Sequence, residues 1–287
     1  MSPPIHLIGL PTDIHSSFLR GAAKAPVRIR AQLVSDHSNP ASERGTEIGA
    51  EIRLTDRGDL PLVEAPDDDR LITEGIAEIL SQGAIPIALG GDHSVTYPIL
   101  RAIAVAHGPV DILHIDAHPD LYDSYGGDRR SHASPFARIM EEGLAKRLVQ
   151  VGIRTLNRHC REQAERFGVE TIEARHFRPG CVPAFAGPLY ISIDLDGFDP
   201  SCAPGVSHLE PGGLTARDVI DILLAVDTPV AGADVVELNP DRDLNDMTAM
   251  LAAKMVKELA ALATAFPVVA PAAAGDPRPP LPPAGGD

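Results

Sequence analysis

The sequence predicts an α/β fold of three layers, αβα, with a central and mostly parallel sheet covered by helices on both faces. Three observations lead there. Runs rich in Val, Ile and Leu recur at residues 5–10, 84–89, 110–115, 148–153, 189–195 and 230–238, and their apolarity is continuous, as in strands buried on both faces. The stretches between them carry helical patterning. With 287 residues and 44% hydrophobic content, the chain has material for one large core.

Each element follows from local pattern. Helices are expected at 69–81, 134–145, 161–167, 215–225 and 247–265. Thr215 is placed to cap the fourth, with Asp218 three residues on to close the box. One domain is expected over residues 1–266. From 267 to 287 the composition turns to Pro, Ala and Gly with little to bury, and a disordered tail is expected.

Composition narrows the function classes. A formal charge of −15 disfavours nucleic acid, whose binding rests on Lys and Arg contacts to phosphate, and suits a small cationic substrate. No apolar run approaches the roughly 20 residues needed to cross a bilayer. The start, MSPPIHLIGLP, has no basic segment followed by a long apolar one, so a cytoplasmic location is expected. Cys160, Cys181 and Cys202 are odd in number and show no CxxC spacing, which argues for free thiols.

Chemistry concentrates where three of the expected strands end: IALGGDHS (87–94), ILHIDAHPD (112–120) and YISIDLDGFDP (190–200). In open α/β sheets ligands collect beyond the carboxyl ends of the strands. Asp116, His118 and Asp120 alternate at period two, so on an extended backbone all three point the same way, and Asp194 and Asp196 repeat that spacing. Four carboxylates brought together and buried need compensating cations. With His93 and His118 they form an oxygen-rich set without thiolate, which suits two divalent ions, Mn(II) first, with Ni(II) and Co(II) as alternatives. Gly90 and Gly91 fit close backbone packing beside His93, and His114 is expected to support the cluster rather than to join it.

These motifs resemble the metal motifs of the arginase–agmatinase (ureohydrolase) family. The likeness runs from about residue 7 to 262. SHASPFARIMEEG, APGVSHLEPGGLT and GADVVELNPDRDLNDMTAM look especially like plant-type arginases and their bacterial relatives. The resemblance implies an arginase-like fold and a binuclear hydrolase that cleaves a guanidino C–N bond to release urea and an amine. It implies that His93 and Asp120 hold one ion, that His118 and Asp196 hold the other, and that Asp116 and Asp194 lie between them. It further implies that Glu237 receives the guanidinium and that His132 shuttles protons. Two ions sharing a water lower its pKa toward neutrality, and Asp120 is placed to orient it.

Substrate choice is expected in the loop 121–132, LYDSYGGDRRSH, with Asp128 and Ser131 facing the far end of the substrate and His208 at the entrance. Asp128 stands where the resemblance suggests Asn. A carboxylate there attracts an amine and repels a carboxylate, which shifts weight from arginine toward agmatine, whereas HAS after Ser131 is shared with plant-type arginases. Arginase or agmatinase activity ranks first. Next come hydrolysis of another small guanidine, guanidino acid or biguanide, and a non-catalytic partner subunit of such an enzyme. The resemblance also implies a homo-oligomer, trimer or hexamer, with a paralogous subunit as an option.

Overall fold

The computed structural model describes residues 2–65 and 67–268. The expected disorder of the tail, from 269 on, lies outside them. At its start, Pro267 pairs with Val230 in an isolated parallel bridge.

Among the described residues, eight strands form one sheet: β1 (Ile5–Gly9), β2 (Leu54–Asp59), β3 (Ile85–Leu89), β4 (Val110–Ile115), β5 (Ala145–Ile153), β6 (Glu170–Glu173), β7 (Leu189–Asp194) and β8 (Val230–Val236). Their order is β2-β1-β3-β8-β7-β4-β5-β6, and every pairing is parallel. The inner strands are the apolar runs of the sequence. β2 and β6, which apolarity did not reveal, are the two edges. LTDRGD is largely exposed and ETIE is half-buried, and both carry the charged residues that keep sheet edges from further pairing.

Among the described residues, seven α-helices complete the layers: α1 (Ala25–Leu33), α2 (Asp68–Ser81), α3 (Thr96–His107), α4 (Pro135–Glu141), α5 (Arg158–Phe167), α6 (Ala216–Ala225) and α7 (Met247–Ala265). Side chains of successive strand residues point to opposite faces, so each face has its own core. Ile191 and Ile193 pack with α1, α6 and α7, whereas Tyr190 packs with α2, α3, α4 and α5. Thr215 and Asp218 form the expected capping box on α6. The helix expected over 134–145 stops at Glu141, because Gly143 takes a left-handed turn at φ 65° and frees the chain to enter β5 early. α1 and α3 were not anticipated. Both carry a proline in or near the first turn, where its missing N–H costs nothing.

After α3 the chain skips two positions, so that β8 and β7 lie between β3 and β4. The loops leaving β3 and β4 therefore flank a crevice at the carboxyl edge, where a site belongs. Among the described residues, no helix is long and apolar enough to cross a membrane.

Candidate metal centre

Four neighbouring strands deliver the polar motifs to that crevice. His93 follows β3, Glu237 follows β8, Asp194 ends β7 with Asp196 just beyond, and Asp116, His118 and Asp120 follow β4. The extended alternation expected for 116, 118 and 120 is not how they converge. β4 ends at Ile115, and Asp116 Oδ1 accepts from the His118 N–H at 2.6 Å, an Asx turn that folds the chain back. Asp120 then adopts φ 49°. Asp194 Oδ1 likewise accepts from Asp196 N at 2.8 Å at the head of a 3-10 turn, Leu195–Gly197. Turns, not pleats, aim these carboxylates. The two turns touch closely enough that a Cβ on Gly197 would lie 2.8 Å from Asp116 N.

His93 Nδ1 faces three carboxylate oxygens: Asp194 Oδ2 at 3.0 Å, Asp120 Oδ2 at 3.2 Å and Asp116 Oδ2 at 3.3 Å. His118 Nδ1 lies 3.1 Å from Asp196 Oδ2 and 3.4 Å from Asp116 Oδ1. Asp116 thus sits between the two histidines. The six side chains are buried apart from His118, which is 28% exposed.

The donor chemistry fits divalent cations. Ser192 Oγ donates to Asp234 Oδ1 at 2.7 Å, so it must accept from His93 Nε2 at 2.9 Å. That fixes the tautomer. The Nδ1 lone pair then points into the carboxylates, and Nδ1 is buried without a hydrogen-bond partner. A lone pair aimed at three anionic oxygens is repulsive unless a cation lies among them. Without a metal ion, protons would have to take its place among these groups. Burial, with Asp196 and Asp116 beside it, holds the Asp194 carboxyl well above the usual carboxylate range. Burial also lifts Asp196 to about 6, against the pull of His118. Burial opposes charge on His93 and His118, yet the surrounding aspartates raise both well above the ordinary imidazole value.

His114 comes near the same place, and His93, His114 and Asp116 bring three ligand atoms together. It is nevertheless a support. Gln150 Nε2 donates to Pro119 O at 2.6 Å and lies 3.1 Å from His114 Nδ1, so Nδ1 accepts and Nε2–H donates to Asp116 Oδ2 at 2.7 Å.

Glu237 stands beside the cluster in a left-handed conformation, φ 66°, which a bulky residue adopts only under constraint. Its Oε1 accepts from His93 N at 2.8 Å and from His132 Nδ1 at 2.7 Å. Burial opposes charge on His132, but Glu237, Asp92 and Asp120 outweigh it and lift its pKa to about 9. A cavity of about 290 Å³ opens over these groups and is lined by Asp194, Asp196, Glu237, His132 and His208.

Two expected contacts are not there. Asp128 and Ser131 line a separate neighbouring cleft. Asp128 is turned away by its own loop, since Oδ2 meets His15 Nδ1 at 2.7 Å and Oδ1 accepts from Arg130 N at 2.7 Å. Ser131 Oγ accepts from Ala133 N at 3.3 Å within the same turn. In their place the wall carries Tyr122, Tyr125, Thr155, Asn157 and Ser17.

Several working residues escaped the sequence. Gln150, Ser192 and Asp234 are polar groups at fully buried positions of apolar strands, and that misfit is itself a signal. Asp92 is fully buried and accepts from His15 N at 3.0 Å and from Ser16 Oγ. It thereby holds a strap, residues 15–19, over the cavity. Nothing local marks that strap. The segment that leads into it packs directly on Gly91, where a Cβ would sit 1.7 Å from Thr12 O.

Comparison with known proteins gives one answer. The model of the arginase family matches residues 3–261. The chain is 52% identical over 272 residues to "Arginase 1, mitochondrial" of Arabidopsis thaliana, covering 89% of this chain and 80% of that protein. It is 38% identical to "Guanidino acid hydrolase, mitochondrial" of Homo sapiens, covering 88% and 76%. Among solved structures, an arginase from Medicago truncatula superposes with a TM-score of 0.85 at 43% identity, covering 91% of this chain and 88% of that one.

Proposed function

The chain belongs to the arginase family, and on that premise we propose that it hydrolyses a cationic guanidino compound to urea and an amine at two divalent ions. His93 with Asp120 would hold one ion, His118 with Asp196 the other, and Asp116 with Asp194 would lie between them. The observation that carries this is the His93 Nδ1 lone pair facing three carboxylate oxygens at 3.0–3.3 Å. The oxygen-rich set favours Mn(II), with Ni(II) and Co(II) as alternatives.

A guanidinium carbon resists attack because its charge is spread over three nitrogens. When bound, the ions activate and orient a water for that attack. The protein's own groups do the remainder. Glu237 pairs with the guanidinium by charge-assisted hydrogen bonds, for which its free Oε2 is available and Oε1 is already fixed by His93 N and His132. His132 supplies the proton without which an amine leaves badly. His208, whose ring lies 5.4 Å from that of His132, borders the entrance. Asp120, 6% exposed, orients the nucleophile.

For the substrate we favour arginine, with agmatine second. Asp128, the residue that weighed toward an amine, faces His15 instead of the cavity. The wall offers neutral hydrogen-bonding groups, Asn157, Thr155, Tyr122 and Ser17, which suit a zwitterionic amino-acid end. The likeness to plant arginases also exceeds that to "Agmatinase, mitochondrial" of Gallus gallus, 36% identical. A homo-oligomer, trimer or hexamer, is proposed with it. Three free thiols suit a reducing compartment, and the cytoplasm is proposed, although the plant relatives are named mitochondrial.

The test is urea release from arginine, agmatine, guanidinobutyrate, guanidine and biguanides by protein reconstituted separately with Mn(II), Ni(II) and Co(II). Arginine with Mn(II) should give the highest kcat/KM. Urea from none of them would overturn the assignment.

A further inference from the structure

Both ring nitrogens of His132 are engaged. Nδ1 lies 2.7 Å from Glu237 Oε1, which as a carboxylate oxygen only accepts, so the proton on that side stays on Nδ1. Nε2 meets one residue twice: the Ser17 backbone N–H at 3.1 Å and the Ser17 hydroxyl at 2.8 Å. The two contacts serve opposite states of the ring. A backbone N–H can only donate, so it serves the neutral imidazole, whose Nε2 carries a lone pair. The hydroxyl can accept, so it serves the imidazolium, whose Nε2 carries a proton. A shuttle needs company in both states, and Ser17 provides it at one nitrogen.

Ser17 lines the cavity together with His132, Asp194, Asp196 and Glu237, so its hydroxyl touches His132 Nε2 and also borders the space open to substrate. We propose that Ser17 is the proton relay of the reaction, passing a proton from His132 Nε2 to the departing amine. This rests on the hydrolysis proposed above. As the C–N bond breaks, its electron pair stays with the departing nitrogen, which takes the Ser17 hydroxyl proton. Ser17 Oγ takes the proton of Nε2, and His132 is left neutral with Nδ1–H still on Glu237. The new urea oxygen releases its proton to solvent at the open mouth, and solvent returns one to Nε2. The strap is positioned for this by Asp92, which accepts from His15 N at 3.0 Å.

The experiment uses the metal-loaded protein and its Ser17→Ala, Ser17→Thr, His132→Asn and double variants. Ser17→Ala keeps the backbone N–H and loses only the hydroxyl. It should lower kcat by about a hundredfold, the lower end of what general acid catalysis contributes, with KM and metal content unchanged. Ser17→Thr should restore most of the rate. In the His132→Asn background the alanine change should add nothing. The deficit should also shrink with an aryl guanidine, whose weakly basic amine leaves with less help, and a purely structural role would not respond to the leaving group. A raised KM with unchanged kcat, or an equal loss with and without His132, overturns the relay while leaving the hydrolase intact. A wild-type protein that releases no urea from any guanidine overturns the hydrolase and the relay together.

Discussion

The metal cluster and the mouth above it differ in how strongly their surroundings dictate them. The cluster is buried, and each carboxylate there carries a desolvation cost that fixed partners must offset. Asp116 alone is held by His118 N and His114, and His114 is held in turn by Gln150. The mouth is solvent-washed. Phe18 is 61% and Tyr125 44% exposed, and Asp128 is free to choose His15 over the cavity. Where burial makes error costly, residue type announces its role. At an exposed rim one sequence accommodates several arrangements.

Substitutions in the two regions should therefore differ steeply. The largest effect is expected from Asp116→Asn. Activity should fall by at least about 10³-fold, beyond the usual cost of removing one electrostatic group at a reacting centre, and atomic absorption should show reduced metal per chain. Glu237→Gln should cost about 10²- to 10³-fold in kcat/KM with metal content intact, since its proposed partner is the guanidinium and not an ion. A depleted metal content in that variant would blur the boundary between the two regions. Asp234→Asn, two hydrogen bonds removed from His93 through Ser192, should weaken metal affinity by about 10- to 100-fold in a chelator titration. A neutral result there would confine the dictated region to the six ligands. Asp128→Asn should change kcat/KM for arginine by less than about threefold, under about 1 kcal/mol. A larger loss would show that the loop turns inward once substrate binds. Away from both regions, Thr215→Ala should cost about 1 kcal/mol in urea denaturation through the lost cap, with activity unchanged.

Legibility in the sequence followed the same gradient. The six inner strands were readable because both faces are covered and apolarity is continuous, whereas β2 and β6 hid behind the charges that protect sheet edges. Residue types at strand ends were enough to assemble the candidate ligand set, but not its geometry. A period of two suggested pleats, and the side-chain oxygens of Asp116 and Asp194 instead bend the backbone into turns. Asp128 and Ser131 were expected to face the substrate because they follow the metal motif, and loop direction cannot be read from adjacency. Ser17 was invisible for the opposite reason, since 115 residues separate it from His132. Asp234 was within reach, because a carboxylate in an otherwise apolar buried strand demands an explanation.

Asp92 sits one residue before His93 and grips the backbone of His15. The turn that carries the His93 imidazole is thus also the anchor of the strap that brings Ser17 to the cavity. One buried carboxylate thus ties the backbone that carries His93 to the segment that carries Ser17, so a substitution at Asp92 should disturb both sides of the cavity together.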